Sequence, residues 1–392
     1  MAEERFLLLD VDHGVALDAF ELRPTAELSL AGADDWWIRL FTLRGGISDG
    51  VQVLEVCNGP LTLSLLPTRG MGVWKARYHD LPVEWQSPVR RPVHPTWVNL
   101  TERHGLGWLS GFNELMCRCG LAWMGPPGDD QGESLTLHGR IANLPAHRLE
   151  IAVDREGPGT LWVRGEVDES SLFGPNLRLV TTLTLKAGAN LCSFVDEIIN
   201  LGGTAQEISL LYHINIGRPL LEPGAETCIA YRESAPRDLV SGEGVLDQHR
   251  YGFPTPGVTE QAFYYKPVAG ACGWTTALLK NASNTAGFAV HYQTLQLPCF
   301  TVWKNPQHEA DGYVTGLEPG IQFPNFKAYE RQQGRIPSLL PGHRYRAEMM
   351  WEFADHSDAV QRLEQDVELA QRFARRVNHA RPQPGWSPAG DV

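Results

Sequence analysis

The sequence predicts a mostly β protein, an antiparallel β-sandwich with one long helix at its C-terminal end. Apolar and polar residues alternate in short runs such as LRLVTTLTL at 177–185, which indicates strands with one solvated face. The 39 glycines and 27 prolines punctuate these runs at the frequency that the turns of a sandwich require. A convincing helical period of apolar residues occurs only after residue 355.

The predicted strands follow one another along most of the chain. They are Val51–Val56, Leu61–Leu66, Leu135–Leu137, Leu161–Val167, Leu177–Leu185, Leu191–Asn200, Ile208–Ile216, Thr276–Leu279, Ala286–Tyr292 and Tyr313–Leu317. Residues 1–45 form a further strand-rich extension. Because no linker or internal repeat interrupts 46–355, we interpret that region as one β domain.

The C-terminal part of the chain divides into a helix and a tail. A helix is predicted over 356–378, with Ser357 as its cap and Asp358 in its first turn. Its apolar residues recur every three or four positions and form one stripe for packing, namely Val360, Leu363, Val367, Ala370 and Phe373. The remaining residues, 379–392, are rich in proline and polar side chains, which predicts a disordered tail.

Composition restricts the partners and the location. The formal net charge of −12 disfavours nucleic acid and anionic membrane surfaces, since both require basic patches. No uninterrupted apolar run is long enough for a membrane span, and the acidic start MAEERFLLLD does not predict a signal peptide. The seven cysteines are odd in number and scattered, so we expect reduced thiols in the cytoplasm. A homo-oligomer is compatible with the sequence.

Four polar residues stand beside or within apolar strands. They are Arg69 in LPTRGMGVW, His138 in LTLHGRIANLP, His213 in ISLLYHINIG and Glu318 in YVTGLEPG. Each alone has an ordinary structural explanation, because a strand-end residue can simply be solvated and a core histidine can be satisfied by its neighbours. We expect the strand to stop at Glu318, where the Pro319-Gly320 turn would let the carboxylate protrude.

The order of these motifs resembles that of the aldose 1-epimerase (galactose mutarotase) superfamily, and more closely its bacterial DUF4432-type branch. The resemblance spans roughly residues 45–355 and rests on LPTRGMGVW, GFNELMCRCGL, LHGRIANLPA, YHINIGRPLL and WKNPQHEADGYVTGLEPGIQFPN. It implies a galactose mutarotase-like β-supersandwich. It also implies an isomerase that acts on the anomeric centre of a small carbohydrate.

The resemblance further implies a role for each matched residue. Glu318 matches the general base and His213 the general acid, while His138 and Arg69 match residues that hold sugar hydroxyls. The aspartate of the superfamily cannot be placed from the sequence, and Asp247 and Asp311 are the candidates. After Glu-Pro the chain continues with GIQ at 320–322, which departs from the branch and leaves the identity of the sugar open.

Anomeric exchange needs one group to remove the C1 hydroxyl proton while another protonates the ring oxygen. We expect Glu318 and His213 on opposite sides of the ring, each contributing roughly 10²- to 10⁴-fold. To keep Glu318 ionised, donors should surround it, and VWKNP offers Trp303, Lys304 and Asn305 as an aromatic platform and donors. Asn113 is also predicted to bind substrate. No metal or other cofactor is expected.

Other functions remain open at this stage. His138, His213 and Glu318 together could form a metal site of two histidines and one carboxylate, which would suit an isomerase, epimerase or lyase. A non-catalytic carbohydrate-binding protein is the other alternative, and a glycoside hydrolase is less favoured because only one catalytic carboxylate can be named. A strongly anionic sugar would need local basic groups, for which the candidates are Arg69, Arg140, Arg218 and Lys304.

Overall fold

The computed structural model describes residues 3–391, and strands dominate it. In chain order they are β1 (Glu3–Asp10), β2 (Val15–Ala16), β3 (Phe20–Leu22), β4 (Trp37–Thr42), β5 (Gln52–Cys57), β6 (Leu61–Leu66), β7 (Gly72–Tyr78), β8 (Leu81–Val83), β9 (Met116–Leu121), β10 (Gly128–Asp130), β11 (Glu133–Leu135), β12 (Arg148–Asp154), β13 (Thr160–Ser170), β14 (Asn176–Lys186), β15 (Leu191–Asn200), β16 (Gln206–Glu207), β17 (Ser209–Ile216), β18 (Glu226–Ile229), β19 (Tyr231–Pro236), β20 (Gln261–Pro267), β21 (Trp274–Lys280), β22 (Gly287–Gln293), β23 (Cys299–Asn305), β24 (Val314–Gly320), β25 (Ser338–Leu339), β26 (Arg344–Ala354) and β27 (Val377–Asn378). The α-helices are α1 (Glu102–Gly105), α2 (Leu239–Gly242), α3 (Lys327–Gln332) and α4 (Ser357–Gln371).

One large sheet has ten strands in the order β18-β21-β22-β26-β15-β14-β13-β12-β1-β2. Its central strands pair antiparallel without a register break from β13 to β14 and from β14 to β15. Buried and half-exposed residues alternate along these strands, so one face packs inward and the other faces outward. Helix α4 packs on the β21 and β26 end of this sheet, through a stripe that includes Val360 and Leu363.

The second large sheet has thirteen strands, twelve of them in the order β27-β19-β20-β23-β24-β17-β9-β7-β6-β5-β4-β3, with β8 paired to β7. Its inner face meets the ten-stranded sheet in the main apolar core. Strands β9, β17 and β24 are buried along their whole length, because loops cover their outer face as well. A strand buried on both faces lacks the polar alternation of the other sheet.

The predicted fold class is confirmed, since each predicted strand run overlaps an observed strand. From residue 3 onward, the strands of the N-terminal extension join the two large sheets. β1 and β2 extend the ten-stranded sheet beside β12, whereas β3 and β4 extend the other sheet beside β5. Among the described residues, no helix is both long and apolar enough to cross a membrane.

Three local expectations at the C-terminal end are wrong. The helix ends at Gln371 rather than near residue 378, and Phe373 is 71% exposed instead of belonging to the packed stripe. The segment 379–391 is not disordered, because Trp386 inserts its ring into a pocket of aromatic and small residues and Ser387 is buried. A single large apolar side chain therefore anchors a segment whose composition predicts disorder.

The strand that carries Glu318 also differs from the prediction. β24 continues through Pro319 to Gly320, and Glu318 pairs with Thr301 of β23 in mid-strand. The pairing of β24 with β17 skips the positions of Glu318 and Pro319, so the proline, which has no amide hydrogen to donate, lies where that ladder is interrupted. The carboxylate therefore reaches the cavity by the alternation of side chains along a strand and does not depend on a turn.

Candidate active site

A cavity of about 670 Å³ lies against the outer face of the thirteen-stranded sheet. Its walls are mostly aromatic and aliphatic, with a smaller number of polar groups, as is usual for small-molecule sites. The apolar part of the lining includes Trp85, Val89, Trp108, Leu109, Phe112, Leu137, Trp303 and Phe326. Residues His138, His213 and Glu318, from three separate chain segments, all line it.

Strand alternation explains which residues reach this cavity. On β23, Thr301, Trp303 and Asn305 line it, each two positions from the next. On β24, Glu318 shares this face with Gly316, where an added Cβ would lie 2.4 Å from the Oε1 atom of Glu318. The glycine thus leaves the space that the carboxylate occupies.

His213 and Glu318 face each other at the sheet surface. The Nε2 atom of His213 lies 3.2 Å from Oε1 of Glu318, but the contact lacks hydrogen-bond geometry, and Oε1 has no hydrogen-bond partner. Edge-to-face contacts with Phe112 and Trp303 enclose the imidazole, at ring-centroid distances of 5.0 and 5.4 Å. The two groups are therefore neighbours on one side of the cavity, and the expectation of opposite sides is wrong.

A hydrogen bond with the side chain of Asn215 fixes the orientation of the His213 ring. Its Nδ1 lies 2.6 Å from Oδ1 of Asn215. The amide nitrogen of Asn215 donates to the carbonyls of Glu114 and His213, so Oδ1 is the acceptor and Nδ1 of the imidazole must carry its hydrogen. In the neutral ring, Nε2 then presents a lone pair to the cavity.

Burial controls the charge of this pair. It lowers the pKa of His213 to about 4, because an imidazolium would lose its hydration. The pKa of Glu318 is raised well above its usual value for the same reason, and repulsion from Glu260 adds to the effect. The expected ring of donors around Glu318 is absent, since the Trp303 indole instead donates to Oε2 of Glu260 at 2.8 Å. Burial therefore disfavours the charged form of both groups.

His138 lies near His213, with 5.7 Å between the ring centroids. Its backbone φ is +56°, an uncommon conformation for a residue with a side chain. The following Gly139 packs so closely that a Cβ there would lie 2.3 Å from the carbonyl oxygens of Gly120 and Trp123. This tight turn fixes the ring beside Trp108, and burial lowers the pKa of His138 to about 3. Strained backbone of this kind often occurs at functional sites.

Several buried polar atoms of the cavity have no hydrogen-bond partner. They are Nε1 of Trp108, Nδ1 of His138, Oγ1 of Thr301 and Oε1 of Glu318. Buried polar atoms in folded proteins are nearly always paired, and leaving one unpaired costs roughly 1–3 kcal/mol. The residues that line this cavity therefore carry several buried polar atoms that the protein itself leaves unpaired.

Arg69 and Asn113 do not reach this cavity. The guanidinium of Arg69 is enclosed by Oε1 of Glu114 at 2.6 Å, by three further acceptors on the covering loops and by protein on every side. Because Glu114 also accepts from Asn215 through its carbonyl, Arg69 positions the loops and, indirectly, His213. Asn113 lines a smaller cavity of about 300 Å³ together with Trp74.

The three residues of the VWKNP motif have different surroundings. Trp303 lines the cavity, and so does Asn305, whose amide nitrogen donates to the carbonyls of Asp311 and Gly312. Lys304 points to the opposite face of β23, where its Nζ donates to the carbonyls of Asp247 and Arg250. The prediction that Lys304 binds substrate is therefore wrong, because neighbouring residues of a strand cannot share a face.

Of the two candidate aspartates, Asp311 lines the cavity and Asp247 does not. The structure adds a charged cluster that the sequence analysis missed, in which Arg237 donates to Asp238 at 2.8 Å and to Glu260 at 2.6 Å. No motif marks this cluster. Within residues 3–391, no group of three histidine, cysteine, aspartate or glutamate side chains has a geometry suited to a metal ion.

Comparisons with known proteins agree with this architecture. The family model described as "Domain of unknown function (DUF4432)" matches residues 48–353. The chain belongs to the DUF4432 family. A solved structure from Klebsiella pneumoniae subsp. pneumoniae, provisionally described as an aldose 1-epimerase, is 31% identical with a TM-score of 0.93. The match covers 96% of this DUF4432 chain and 98% of the Klebsiella chain.

More distant structures show the same fold. A galactose mutarotase-like protein from Clostridium acetobutylicum has a TM-score of 0.54 at 13% identity and covers 82% of this chain and 99% of its own. Galactose 1-epimerase from Lactobacillus acidophilus has a TM-score of 0.53 at 12% identity, with coverages of 81% and 99%. The DUF4432 chain therefore has a galactose mutarotase-like fold. No curated protein matches it.

Proposed function

We propose that this DUF4432 protein is a carbohydrate mutarotase that exchanges the anomers of a reducing sugar. The observation that carries the proposal is the buried contact of 3.2 Å between His213 and Glu318 on an aromatic-walled cavity. The unpartnered polar atoms around that contact are the groups that sugar hydroxyls would satisfy. Aromatic rings such as Trp303 supply flat apolar surface for the C–H face of a sugar.

In the resting state that we propose, the Glu318 carboxyl carries a proton that it can donate. Nε2 of His213 carries a lone pair that can accept a proton. In ring opening, Nε2 of His213 accepts the proton of the C1 hydroxyl while the Glu318 carboxyl gives its proton to the ring oxygen. The bond from C1 to the ring oxygen breaks and C1 becomes an aldehyde carbon. After rotation about C1–C2, closure on the other face returns both protons to their donors.

This proposal assigns the resting proton differently from the family resemblance, which makes Glu318 the base and His213 the acid. The reason is burial, which disfavours both charged forms. Ring oxygen and C1 hydroxyl are attached to the same carbon, so adjacent acid and base groups can reach both. Their proximity on one side of the cavity therefore suits the reaction.

The charges of the cavity favour a neutral sugar. Its lining contains the carboxyl groups of Asp238, Glu260, Asp311 and Glu318. Arg237 also lines the cavity, but its guanidinium is already paired with Asp238 and Glu260. None of the basic residues named for an anionic substrate, Arg69, Arg140, Arg218 and Lys304, lines this cavity. A phosphorylated or carboxylated sugar would meet uncompensated negative charge.

Saturation-transfer NMR of anomeric exchange tests the proposal on neutral aldoses, ketoses and uronates. We expect acceleration of a neutral sugar, reduced ~10²- to 10⁴-fold by Glu318→Gln and by His213→Asn. His249→Asn is the control, because His249 is half-buried and its pKa is also lowered to about 4, but it lies outside the cavity. The mutarotase proposal would be refuted if the protein accelerated exchange of no sugar in the panel, or if Glu318→Gln and His213→Asn both kept the full rate.

A further inference from the structure

The cavity extends well beyond the catalytic pair. Its floor crosses five neighbouring strands of the sheet, from His213 on β17 to Arg237, which follows β19 and still pairs with Ala262 of β20. Four strand intervals correspond to roughly 19 Å at the usual spacing. A single sugar ring at His213 and Glu318 leaves the β20 and β19 end of this floor uncovered.

The far end of the cavity is built by the C-terminal segment, which we define as residues 385–389. Ser387, Pro388 and Ala389 line the cavity there. The hydroxyl of Ser387 donates to the carbonyl of Arg237 at 2.6 Å, which ties the segment directly to the charged cluster. The segment is therefore part of the cavity wall.

Aromatic stacking holds the C-terminal segment in place. The ring of Trp386 stacks on Phe323 at 5.6 Å, and Phe323 stacks on Tyr264 at 4.5 Å. The amide of Asn325 donates to the carbonyl of Trp386 at 2.8 Å, and its own oxygen accepts from the Tyr264 hydroxyl. A wall fixed by so many contacts keeps its shape when a ligand binds.

The far end carries charged side chains, whereas the catalytic end combines the polar groups of His213 and Glu318 with aromatic walls. Arg237, Asp238 and Glu260 hold one another in fixed positions there, and their carboxylate oxygens can accept hydrogen bonds from hydroxyl groups. Trp303 lies between the two ends and donates to Glu260. The cavity thus offers two neighbouring polar zones joined by an aromatic surface.

We propose that the substrate is a reducing disaccharide or a longer reducing sugar. Its reducing ring lies over His213 and Glu318, and its next ring lies between Trp303, Arg237 and the C-terminal segment. This inference rests on the proposed function for the position of the reducing ring. The cavity volume of about 670 Å³ lies within the usual range of ~300–1,000 Å³ for small-molecule sites, and the length of the cavity floor is what favours a second ring.

Binding to the Glu318→Gln variant tests the inference separately from turnover. Calorimetry would compare neutral monosaccharides with disaccharides that carry the same sugar at the reducing end. We expect at least one disaccharide to bind about 10-fold more tightly than its monosaccharide, as one or two further hydrogen bonds would provide. Equal affinities across the panel would overturn the inference.

Two tryptophan substitutions locate the second ring. Ala389 is exposed and lines the cavity, so Ala389→Trp should fill the far end and remove the disaccharide advantage without changing monosaccharide affinity. Arg381→Trp adds the same ring to an exposed site of the tail outside the cavity and should change neither affinity. Equal weakening of both sugars by Ala389→Trp would overturn the placement of the second ring. Tight disaccharide binding by Glu318→Gln, with no anomeric exchange of that disaccharide by the wild-type protein, would refute the mutarotase proposal while supporting the extended site.

Discussion

Two buried polar clusters lie on opposite faces of the same strands, and they differ in how completely they are paired. Between the sheets, Arg118 of β9 forms an ion pair with Asp196 of β15, and Asp196 also accepts from the hydroxyl of Tyr212. On the cavity face, His213 follows Tyr212 directly in β17 but meets Glu318 without a hydrogen bond.

The inner cluster is saturated. Beyond Asp196, the guanidinium of Arg118 donates to the carbonyl of Met71 at 2.9 Å and to the hydroxyl of Thr181 at 2.8 Å. Around His213 and Glu318, the lining of the cavity retains unpartnered polar atoms on four residues, namely Trp108, His138, Thr301 and Glu318. Saturated buried charge holds a structure together, whereas unsaturated buried groups are available to a ligand. Strand alternation lets adjacent residues serve these two purposes.

The largest expected contrast is in stability. Asp196→Ala leaves the Arg118 charge buried without its partner and should lower the free energy of unfolding by about 3–5 kcal/mol. Glu318→Gln places a neutral amide where burial already disfavours the carboxylate, so it should lower the free energy of unfolding far less. Denaturant unfolding of both variants measures the contrast. Equal destabilisation would mean that the two clusters are equally structural.

The pH dependence of stability should also separate the clusters. The pKa of His213 is lowered to about 4 in the folded state, below its value of about 6.5 in the unfolded chain. As the pH falls from 6.5 to 4, the unfolded state takes up the proton first, so up to about 3 kcal/mol of stability is lost. His138 acts in the same direction, because its pKa is lowered to about 3.

Glu318 contributes with the opposite sign. Its pKa is raised in the folded state, so its contribution is present below about pH 4.5 and is lost as the pH rises through the folded value. Unfolding midpoints of wild type and His213→Asn between pH 4 and 7 isolate the histidine contribution. A fall in stability toward acid that is identical in both proteins would contradict the prediction.

Gly316 offers a smaller and more local disturbance of the cavity cluster. In Gly316→Ala the new Cβ would displace the Glu318 carboxylate, whose Oε1 lies 2.4 Å from that position. A displacement of about 1 Å can lower a rate 10²-fold, while the flexible carboxylate end lets the fold adjust. Anomeric exchange and thermal unfolding measured together test this. Gly203→Ala, where an added Cβ meets nothing within 4 Å, is the control and should leave the rate unchanged.

The smallest effect on activity is expected at Lys304. Lys304→Met removes two hydrogen bonds to backbone carbonyls on the face away from the cavity, which should lower stability by about 1–3 kcal/mol and leave exchange unchanged. Its neighbour Trp303 points into the cavity, so Trp303→Leu should weaken sugar binding instead. Loss of exchange in Lys304→Met with sugar binding intact would place this lysine in the mechanism after all.

The sequence by itself determined the β-sandwich, because period-2 alternation and the spacing of glycine and proline depend on local geometry alone. It also indicated His138, His213 and Glu318 as candidate site residues, since polar residues beside or within strongly apolar strands are uncommon. It placed the strand end at Glu318 incorrectly, because Pro-Gly ordinarily marks a turn.

Only the tertiary structure decided which polar residues meet. Loop packing enclosed Arg69, which spacing along the chain does not reveal. The alternation of neighbouring residues separates Lys304 from Trp303, but only the structure shows which of the two faces the cavity. The cluster around Arg237 and the wall formed by residues 385–389 join positions about 150 residues apart through a contact such as that of Ser387. Burial likewise set the charges of His213 and Glu318, because the loss of hydration depends on everything packed around a group and not on its neighbours in sequence.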